Sequence, residues 1–521
     1  MKHLKPHIMK LYLKFVLLFA FALVAFNCSK SDDGINDVDE NPFASSINEY
    51  ILGLNYNPES LLNTQSISGS IERTEIDSQS LGDDNPVQGV VTSCVRKTFD
   101  LKSNFSEVSI LQPTSGIIYP GALIYGDNNM LDGLPNPITS VSRGPATFRI
   151  GLPGFGDQGT VVVNNLENSS VDSSISNALE WWHDNAYPNG YENLSQTSYK
   201  SATSYSRKQL GLEVGLNVEW ASGSIESQLE YQSTETNKVA MLVYKQVFYT
   251  VTMDNPFSPA SVFGNDVTLE QVQSVIDDNR PPAYVKSVSY GRIIMFRMET
   301  SDVETEVDLS LALQYASGIS GGGTTNSAYE EVLNEATITV VTLGGNAQAA
   351  AEIFSPEDEN EGITFGSFGS ILSGTNAVFT RNNPGIPMAY TIRYLKDNSL
   401  AKMGFQEEYT ADSCGENEFE HERIKVINDF TTKNIRVRLT YQTSNGTIST
   451  DWVTITDEDQ DFFEPPAGSW NVEVEIEYFN FGWNGLVSQT LGHVEIEQCY
   501  RTYNPSGWEN ASYDYDCDSQ L

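Results

Sequence analysis

The sequence predicts an α+β protein of several domains, and three observations support this fold class. Residues 210–233 and 302–319 alternate apolar and polar side chains, which is typical of strands with one apolar and one solvated face. Long β-rich runs at 239–252 and 285–299 predict a central sheet. Beyond Cys414, short strands separated by turn residues recur over about a hundred residues, which predicts a C-terminal β-sandwich.

The composition limits the possible partners. The chain has 521 residues, of which 39% are apolar, so it has room for several domains with a large core. Its formal net charge of −39 argues against nucleic acid as a partner and against a polybasic contact with anionic lipid. Attraction to a membrane would therefore depend on apolar surface or on a specific receptor.

The N-terminus has the features of an export signal followed by a lipid anchor. Lysines at positions 2, 5, 10 and 14 precede the apolar run 15–26, which is too short for a membrane-spanning helix. Cys28 ends this run and is followed by Ser-Lys-Ser-Asp-Asp, which resembles a bacterial lipoprotein processing site. We predict a signal peptide at 1–27, lipidation of Cys28 and a flexible acidic tether at 28–45.

Besides Cys28, the chain has four cysteines: Cys94, Cys414, Cys499 and Cys517. An even number in an exported chain predicts disulfides, but three pairings are possible and the sequence does not choose between them. The absence of a C-x-x-C motif or a Cys/His cluster in the sequence predicts no metal site.

Several further elements are expected along the chain. We predict strands at 108–111, 116–124 and 336–343, and helices at 173–183 and 267–278. Gly344 and Gly345 follow the third strand directly, and a glycine pair at such a place marks a bend or a close approach of backbones. In the C-terminal part, strands are predicted at 424–427, 434–442, 451–456, 472–478 and 494–498.

The arms of each alternating stretch have the length that a tilted strand needs to cross a bilayer, about ten residues. A strand cannot span lipid alone, because its edge N–H and C=O groups would have no partners, so the spanning form must be a closed barrel. Four such strands are too few for a single-chain barrel, so several copies must contribute. The alternative is a pair of amphipathic hairpins that rest on a soluble core.

The two faces of these stretches predict which side chains would contact lipid and which would line a pore. The apolar faces comprise Leu210, Leu212, Val214, Leu216, Val218, Trp220, Ile225, Leu229 and Tyr231 in the first stretch, and Val303, Val307, Leu309, Leu311, Leu313, Tyr315 and Ile319 in the second. The polar faces carry Glu213, Glu219, Glu226, Glu230, Asp302, Glu304, Glu306 and Asp308. Carboxylates in a lumen would favour cations. The alternative is that they are solvated surface charges.

A set of motifs resembles those of the cholesterol-dependent (thiol-activated) cytolysins, a family of bacterial pore-forming toxins. The motifs are Tyr119-Pro-Gly-Ala-Leu123, Tyr244-Lys-Gln-Val-Phe-Tyr-Thr-Val251, Val288-Ser-Tyr-Gly-Arg292 with Met298-Glu-Thr300, Leu343-Gly-Gly345, and Pro387-Met-Ala-Tyr-Thr391 with Leu395-Lys-Asp-Asn398. Their order and spacing around the two alternating stretches carry the resemblance, which covers residues 54–411.

The resemblance implies an elongated four-domain fold of the MACPF/CDC superfamily, in which two helical bundles flank a twisted central antiparallel sheet. It implies that monomers bind a membrane through the C-terminal domain and assemble into rings. The bundles would then refold into transmembrane hairpins, with Gly344 and Gly345 as the sheet hinge. A helix built from the alternating stretches would lack a clean apolar face, so we expect it to be displaced easily.

The resemblance also implies a division of the chain into four domains. Domain 1 would include parts of 46–197, which also begins domain 2, together with 239–285 and 370–398. The membrane-hairpin segments of domain 3 would be 198–238 and 286–369. A domain 2 strand at 399–413 would lead to the C-terminal β-sandwich at 414–521.

The C-terminal part departs from the family pattern. Residues 477–487 would correspond to the family's Trp-rich loop, but they contain no cysteine and one tryptophan. Tyr-Arg-Thr-Tyr stands at 500–503, in place of a Thr-Leu sterol pair. These departures make sterol a doubtful target, so a different lipid, a glycan or a surface receptor is expected.

An aromatic cluster in this part is a candidate for membrane or receptor binding. Phe479, Phe481 and Trp483 could form an exposed tip, since amphipathic rings prefer a membrane interface. Tyr503 and Trp508 could belong to the same tip. The alternative is that these rings close the core of the sandwich.

The sequence does not predict an enzyme. The Gly-x-Ser-x-Gly match at 318–322 lies in the turn of the second hairpin, and no phosphate-binding glycine loop or His-Glu-x-x-His motif is present. Residues 457–461 resemble the start of a calcium loop but lack the glycine and glutamate that such a loop needs. We predict no catalytic residue and no cofactor.

These observations together predict an exported protein that is either a surface or outer-membrane lipoprotein or secreted. We expect it to form a homo-oligomer, or a hetero-oligomer with a related subunit, and to insert two hairpins per subunit into a large β-barrel pore. The alternative function is that of a non-lytic surface lipoprotein that uses the same scaffold for binding or adhesion.

Overall fold

The computed structural model describes residues 41–111, 116–132, 135–216, 238–300, 308–316, 327–344, 377–505, 511–515 and 517. The predicted signal peptide, Cys28 and most of the predicted tether lie outside the described residues. No helix in the described ranges is long and apolar enough to cross a bilayer.

A nine-stranded sheet lies at the centre of the described chain. Its longest strands, β8 (Lys238–Met253) and β9 (Pro282–Thr300), pair antiparallel and are rich in β-branched and aromatic residues. Their register shifts between Val247 and Tyr249. The pair confirms the long β-rich runs predicted from the sequence.

The shift divides the sheet into two parts with different neighbours. In the first part the order is β7-β8-β9-β10, and in the second it is β6-β5-β8-β9-β11-β3, with β4 also paired to β9. The bounds are β3 Glu107–Ser109, β4 Leu123–Tyr125, β5 Ala146–Ile150, β6 Thr160–Val163, β7 Gln196–Thr203, β10 Thr337–Leu343 and β11 Ile386–Tyr394.

Two of the shorter predicted strands had different outcomes. The strand predicted at 336–343 is confirmed by β10. The strand predicted at 116–124 is wrong except for its last two residues, because Gly121 adopts a φ of +82° and turns the chain before β4 begins.

Helices cover the second part of the sheet. Trp182, Phe155 and Phe263 are fully buried in this region, in the largest hydrophobic core. The helices are α1 Ala44–Gly53, α2 Pro58–Leu61, α3 Asn168–Asn185 and α5 Leu269–Val275, with short 3₁₀ turns at Asn128–Asp132, Gly156–Gly159, Tyr187–Asn189 and Pro259–Val262. The helices predicted at 173–183 and 267–278 correspond to α3 and α5.

A three-stranded sheet, here called the stalk sheet, brings together distant parts of the sequence. It has the order β1 (Ile71–Asp83), β2 (Val90–Phe105) and β12 (Met403–Glu418). The long β1 and β2 were not predicted, because their side chains are mostly exposed or half-buried and carry little periodicity. Strand β12 continues through position 414, where the sequence analysis placed the start of the C-terminal domain.

The structure contains one of the three possible disulfide pairings. Cys94 and Cys414 are register partners on β2 and β12 and form one disulfide. Cys499 and Cys517 form the other. The first therefore fixes the register of the stalk sheet.

The C-terminal part is a β-sandwich, as predicted. One sheet has the order β17-β13-β20-β21, and the other has the order β15-β14-β18-β19 with β16 paired to β14. Alternate residues such as Val426, Val437 and Val474 point inward to form the core. The bounds are β13 Ile424–Asn428, β14 Ile435–Thr443, β15 Gly446–Ser449, β16 Val453–Ile455, β17 Asp459–Phe463, β18 Trp470–Phe479, β19 Trp483–Gly492, β20 Gln498–Tyr503 and β21 Ser512–Asp514.

Two details of the sandwich differ from the sequence prediction. The strand predicted at 494–498 is wrong except for Gln498, because residues 494–497 lie in the connection from β19 to β20, and β20 begins at Gln498. The acidic segment at 457–461 leads into an edge strand, β17, whose exposed charged residues gave no alternating pattern.

Two histidines join the stalk sheet to the sandwich. The Gly89 N–H donates to His493 Nε2 at 3.2 Å, and the Val494 N–H donates to His421 Nδ1 at 3.1 Å. Each ring nitrogen must be unprotonated to accept, so both imidazoles are neutral in this arrangement. Burial lowers the pKa of both rings below the ordinary value of 6.5, although Glu495 acts in the opposite direction on His493.

We expect this joint to loosen in acid. The folded chain binds fewer protons at the two rings than the unfolded chain, so their contribution to stability is present above pH 6.5 and is lost as the pH falls through the lowered pKa values. The protection of the Gly89 and Val494 amides from hydrogen exchange, corrected for the pH dependence of intrinsic exchange, should therefore fall more in acid than protection at the core of the sandwich.

A matched variant isolates the two rings. In His421→Asn with His493→Gln, side-chain oxygens that do not titrate stand near the accepting nitrogens. Exchange at Gly89 and Val494, compared with the wild type at each pH, should then lose its acid sensitivity. An identical acid response in both proteins would show that these rings do not control the joint.

Candidate functional site

The two alternating stretches connect strands that are already neighbours in the central sheet. Residues 204–237 join β7 to β8, and residues 301–336 join β9 to β10. We call them the first and second segments. Their described parts are helical: α4 (Arg207–Glu213) in the first, and α6 (Leu309–Ala316) and α7 (Ser327–Glu335) in the second.

The described parts of the two segments lie on opposite faces of the sheet. Leu210 and Val214 of the first segment pack on the face formed by the odd-numbered residues of β8 and β9, such as Met241. Leu309 and Leu313 of the second segment pack on the other face, with even-numbered neighbours. The contacts of the second face also include Leu242, Phe296, Met298, Val332 and Leu333. Helices α4 and α6 therefore hide apolar residues that belong to a predicted lipid face.

Helix α6 contradicts one expectation from the sequence. It was expected to lack a clean apolar face, but Leu309, Ala312, Leu313 and Ala316 form a fully buried stripe at helical spacing. The expectation was wrong because the two alanines fall on the polar face of a strand and were not counted as apolar. Leu311, in contrast, is 45% exposed.

Helix α4 is buried from two sides. Leu210 and Leu216 contact the central sheet, whereas Leu212 packs with residues of the stalk sheet such as Leu101. Ser206 caps the helix by accepting the Gln209 N–H at 3.1 Å. Apolar residues at alternate positions are therefore compatible with this helix, because one set packs on the central sheet and the other packs on the stalk sheet.

Polar contacts also fasten α4 to the stalk sheet. Lys208 Nζ lies 3.2 Å from a carboxylate oxygen of Glu407 and donates to the Gln406 carbonyl at 2.7 Å. Glu213 accepts from Gln209 Nε2 at 2.6 Å and lies 3.7 Å from the Arg73 guanidinium. The alternative of a solvated surface charge is therefore wrong for Glu213, which is mostly buried between the two elements.

The first segment is also held where its described part ends. Lys245 Nζ on β8 donates to the Gly215 carbonyl at 3.0 Å and to Ser109 Oγ at 2.5 Å. Burial lowers the pKa of Lys245 to about 8. Lys245 belongs to the motif at 244–251, whereas Arg73 and Glu407 gave no signal in the sequence.

Asp308, predicted to line a pore, has a different contact in this structure. Its carboxylate accepts the Ser310 N–H at 2.8 Å and so caps α6. The remaining predicted residues of the two faces lie outside the described residues: Val218, Glu219, Trp220, Ile225, Glu226, Leu229, Glu230, Tyr231, Asp302, Val303, Glu304, Glu306, Val307 and Ile319.

Backbones approach closely at the predicted hinge. Gly344 directly follows β10 with a φ of +79°, and a Cβ there would lie 2.8 Å from the Gly291 carbonyl oxygen. A Cβ on Gly291 would overlap with the Gln246 carbonyl oxygen, and one on Gly385 would lie 2.8 Å from the Gly291 nitrogen. Three glycines therefore meet where β10 and β11 divide the edge of β9. Gly345 lies outside the described residues.

The aromatic tip lies at the end of the sandwich far from the stalk sheet. Phe479 and Phe481 are exposed on the β18–β19 hairpin, so the alternative in which they close the core is wrong. Phe481 has a φ of +56°, an uncommon backbone conformation for this residue. Tyr503 ends β20 on the same side of the sandwich, since β20 runs parallel to β13. Trp508 lies outside the described residues.

Trp483 lies beside the tip, on the outer face of the sheet. The Arg436 guanidinium is sandwiched between Trp483 and Trp452, with centroid distances of 4.5 and 4.3 Å. Arg436 also pairs with Glu477 at 2.5 Å. No cluster of possible metal ligands occurs within the described ranges.

Together, the central sheet with a segment on each face, the stalk sheet and the β-sandwich define the fold of a cytolysin-type toxin. The crystal structure of the human-specific toxin intermedilysin matches with a TM-score of 0.60 at 22% identity, covering 91% of this chain and 98% of that one. Listeriolysin O matches with a TM-score of 0.61 at 20% identity, covering 92% and 96%.

The sequence comparisons give the family. Residues 46–413 match the family model of the thiol-activated cytolysins. Tetanolysin from Clostridium tetani (strain Massachusetts / E88) is 32% identical over 384 residues, which are 73% of this chain and 67% of that protein. Streptolysin O from Streptococcus dysgalactiae subsp. equisimilis is 29% identical over 389 residues, 73% and 62% of the two chains. The chain belongs to the thiol-activated cytolysin family, which confirms the resemblance noted in the sequence.

The close approach of backbones at Gly291 can be tested by substitution. Gly291→Ala should lower the free energy of unfolding by about 1–3 kcal/mol, because the new methyl group has no space beside the Gln246 backbone. Gly415→Ala on β12 is the matched control, since nothing lies within 4 Å of a Cβ there. Denaturant unfolding of both variants measures the difference, and equal stabilities would contradict the close approach.

Proposed function

We propose that this chain is a pore-forming protein that refolds its first and second segments into transmembrane hairpins. The observation that carries the proposal is the position of the segments. Each joins two antiparallel neighbours, so that extension of β7 with β8, and of β9 with β10, needs no new strand order. The intervening residues suffice for two arms of about ten residues, the length that spans a bilayer.

The sheet edges support a mode of assembly. In the first part of the central sheet, β7 and β10 are the outer strands of the described chain. Pairing of β7 in one copy with β10 in the next would continue the sheet around a ring and satisfy the edge N–H and C=O groups. The barrel would then contain four strands per subunit, with the carboxylate-rich faces toward the lumen.

The C-terminal sandwich is the candidate for target binding. Its exposed Phe479 and Phe481 lie outside the family match at 46–413. Among structural neighbours, one intermedilysin structure contains human CD59, and one pneumolysin structure is described as a sugar-binding protein. A protein receptor, a glycan or a lipid surface is therefore the target class, and recognition would precede insertion. Cys28 would tether the exported chain to its own cell surface before release.

A substitution at Leu311 should affect the inserted form and leave the water-soluble form unchanged. Leu311 is exposed on α6 but belongs to the predicted lipid face, so Leu311→Arg should leave the stability of the monomer within about 0.5 kcal/mol. In the inserted hairpin the arginine costs roughly 2–4 kcal/mol per strand at mid-bilayer. Dye leakage from vesicles or cells that the wild type permeabilises should disappear, while binding remains.

Ser310→Arg is the matched control, since it adds the same charge one position away on the predicted lumen face. It should keep most of the leakage activity. Equal leakage from Leu311→Arg and Ser310→Arg would contradict the assigned faces. Binding to target cells by the wild type, with no leakage under any condition, would favour the non-lytic adhesion protein.

The aromatic tip has its own test. Phe481→Ala removes a fully exposed ring, so the fold should not change. If the Phe481 ring is buried in the target on binding, its loss should cost about 1.5–3 kcal/mol of binding free energy, or roughly ten- to a hundredfold in affinity. Phe257→Ala removes an equally exposed ring from a distant loop and should bind like the wild type. Flotation with target membranes measures both, and unchanged binding by Phe481→Ala would exclude the tip.

A further inference from the structure

A cleft of about 820 Å³ lies between the stalk sheet and the C-terminal sandwich, on the side of the sandwich opposite to the aromatic tip. The β1–β2 turn and Glu416 of β12 form one wall, and the β14–β15 hairpin with Trp470 forms the other. The cleft belongs to neither refolding segment, and the pore-forming steps proposed above do not use it.

Four exposed polar side chains line the cleft: Asp84, Asn85, Gln88 and Glu416. Within the described part of the chain these side chains make no hydrogen bond to the protein, so they are available to a ligand. Thr443, by comparison, is engaged with the Gly446 carbonyl at 3.1 Å. Carboxylate and amide groups in this arrangement offer several acceptors and donors to a ligand.

The backbone of the β1–β2 turn forms a tight hairpin. Val87 and Val90 hydrogen-bond to each other in both directions, and Gln88 and Gly89 between them have φ values of +48° and +77°, as a two-residue hairpin turn requires. Gly89 packs so closely on Gly468 that a Cβ would overlap with the Gly468 carbonyl oxygen. The turn is therefore fixed against the sandwich, and the cleft exists before a ligand arrives.

The lining defines the class of ligand. No lysine, arginine or histidine lines the cleft within the described chain, so nothing would neutralise a phosphate, a sulfate or a sialic acid. Trp470 supplies an aromatic surface for an apolar ring face, and the groups around it suit hydroxyls at the rim of the same ring. A pyranose has both features without a charge.

We propose that this cleft is a binding site for a neutral saccharide. A ligand held there would contact the stalk sheet and the sandwich together and would so fix the angle between them. The site is independent of membrane insertion and would serve a lytic and a non-lytic protein equally.

The test uses the full-length protein on an array of neutral oligosaccharides with their sialylated and sulfated counterparts, and with amine- and choline-terminated ligands. The neutral oligosaccharides should be retained, and calorimetry with the strongest of them gives the affinity. Trp470→Ala should weaken binding by at least about tenfold, and Trp470→Phe should recover part of it. Asn85→Ala should also weaken binding, and it alters only an exposed loop.

Phe481→Ala is the control for the tip, and its saccharide affinity should equal that of the wild type. Retention of only charged, amine- or choline-terminated ligands would overturn the proposal, as would retention of none. Saccharide binding that survives both Trp470→Ala and Asn85→Ala would place the sugar elsewhere. Leakage by any of these variants leaves the saccharide result unaffected, so the two proposals succeed or fail separately.

Discussion

The arrangement of both segments depends on one constraint if they refold as proposed: the same residues must then satisfy two hydrophobic periods. In α6 the buried stripe repeats at helical spacing, whereas the predicted lipid face of the same residues repeats every second position. Leu309 and Leu313 belong to both sets. Ala312 and Ala316 complete the helical stripe and are small enough to be tolerated on the polar face of a strand. Alanine, which is apolar but short, is what makes the two patterns compatible.

The first segment meets the same constraint by a different arrangement. Its apolar residues do not share one helical stripe, but the central sheet receives Leu210 and the stalk sheet receives Leu212. A helix between two cores can bury residues at alternate positions without conflict. The consequence is that the stalk sheet and the segment stabilise each other, so displacement of one exposes apolar surface on the other. The salt bridge between Lys208 and Glu407 lies at this boundary.

The local features of the fold could be predicted from the sequence, whereas few of the contacts between distant residues could. The β8 and β9 runs, helix α3 and the sandwich core follow from composition and period, since their residues are buried in regular patterns. The stalk sheet joins strands about 300 residues apart. Most side chains of β1 and β2 are exposed or half-buried, so no local pattern encodes that pairing. At the site, period two identified the segments, but Arg73 and Gly385 act through contacts that exist only after folding.

The disulfide between Cys94 and Cys414 encloses a sequence separation of 320 residues, which includes the first and second segments. A protease that cuts any exposed loop between these cysteines would leave two fragments that remain covalently joined. Such a nicked molecule would migrate with the intact chain on a non-reducing gel and would separate only after a reductant is added. Limited proteolysis could therefore free the ends of a segment while the disulfide keeps the molecule in one piece.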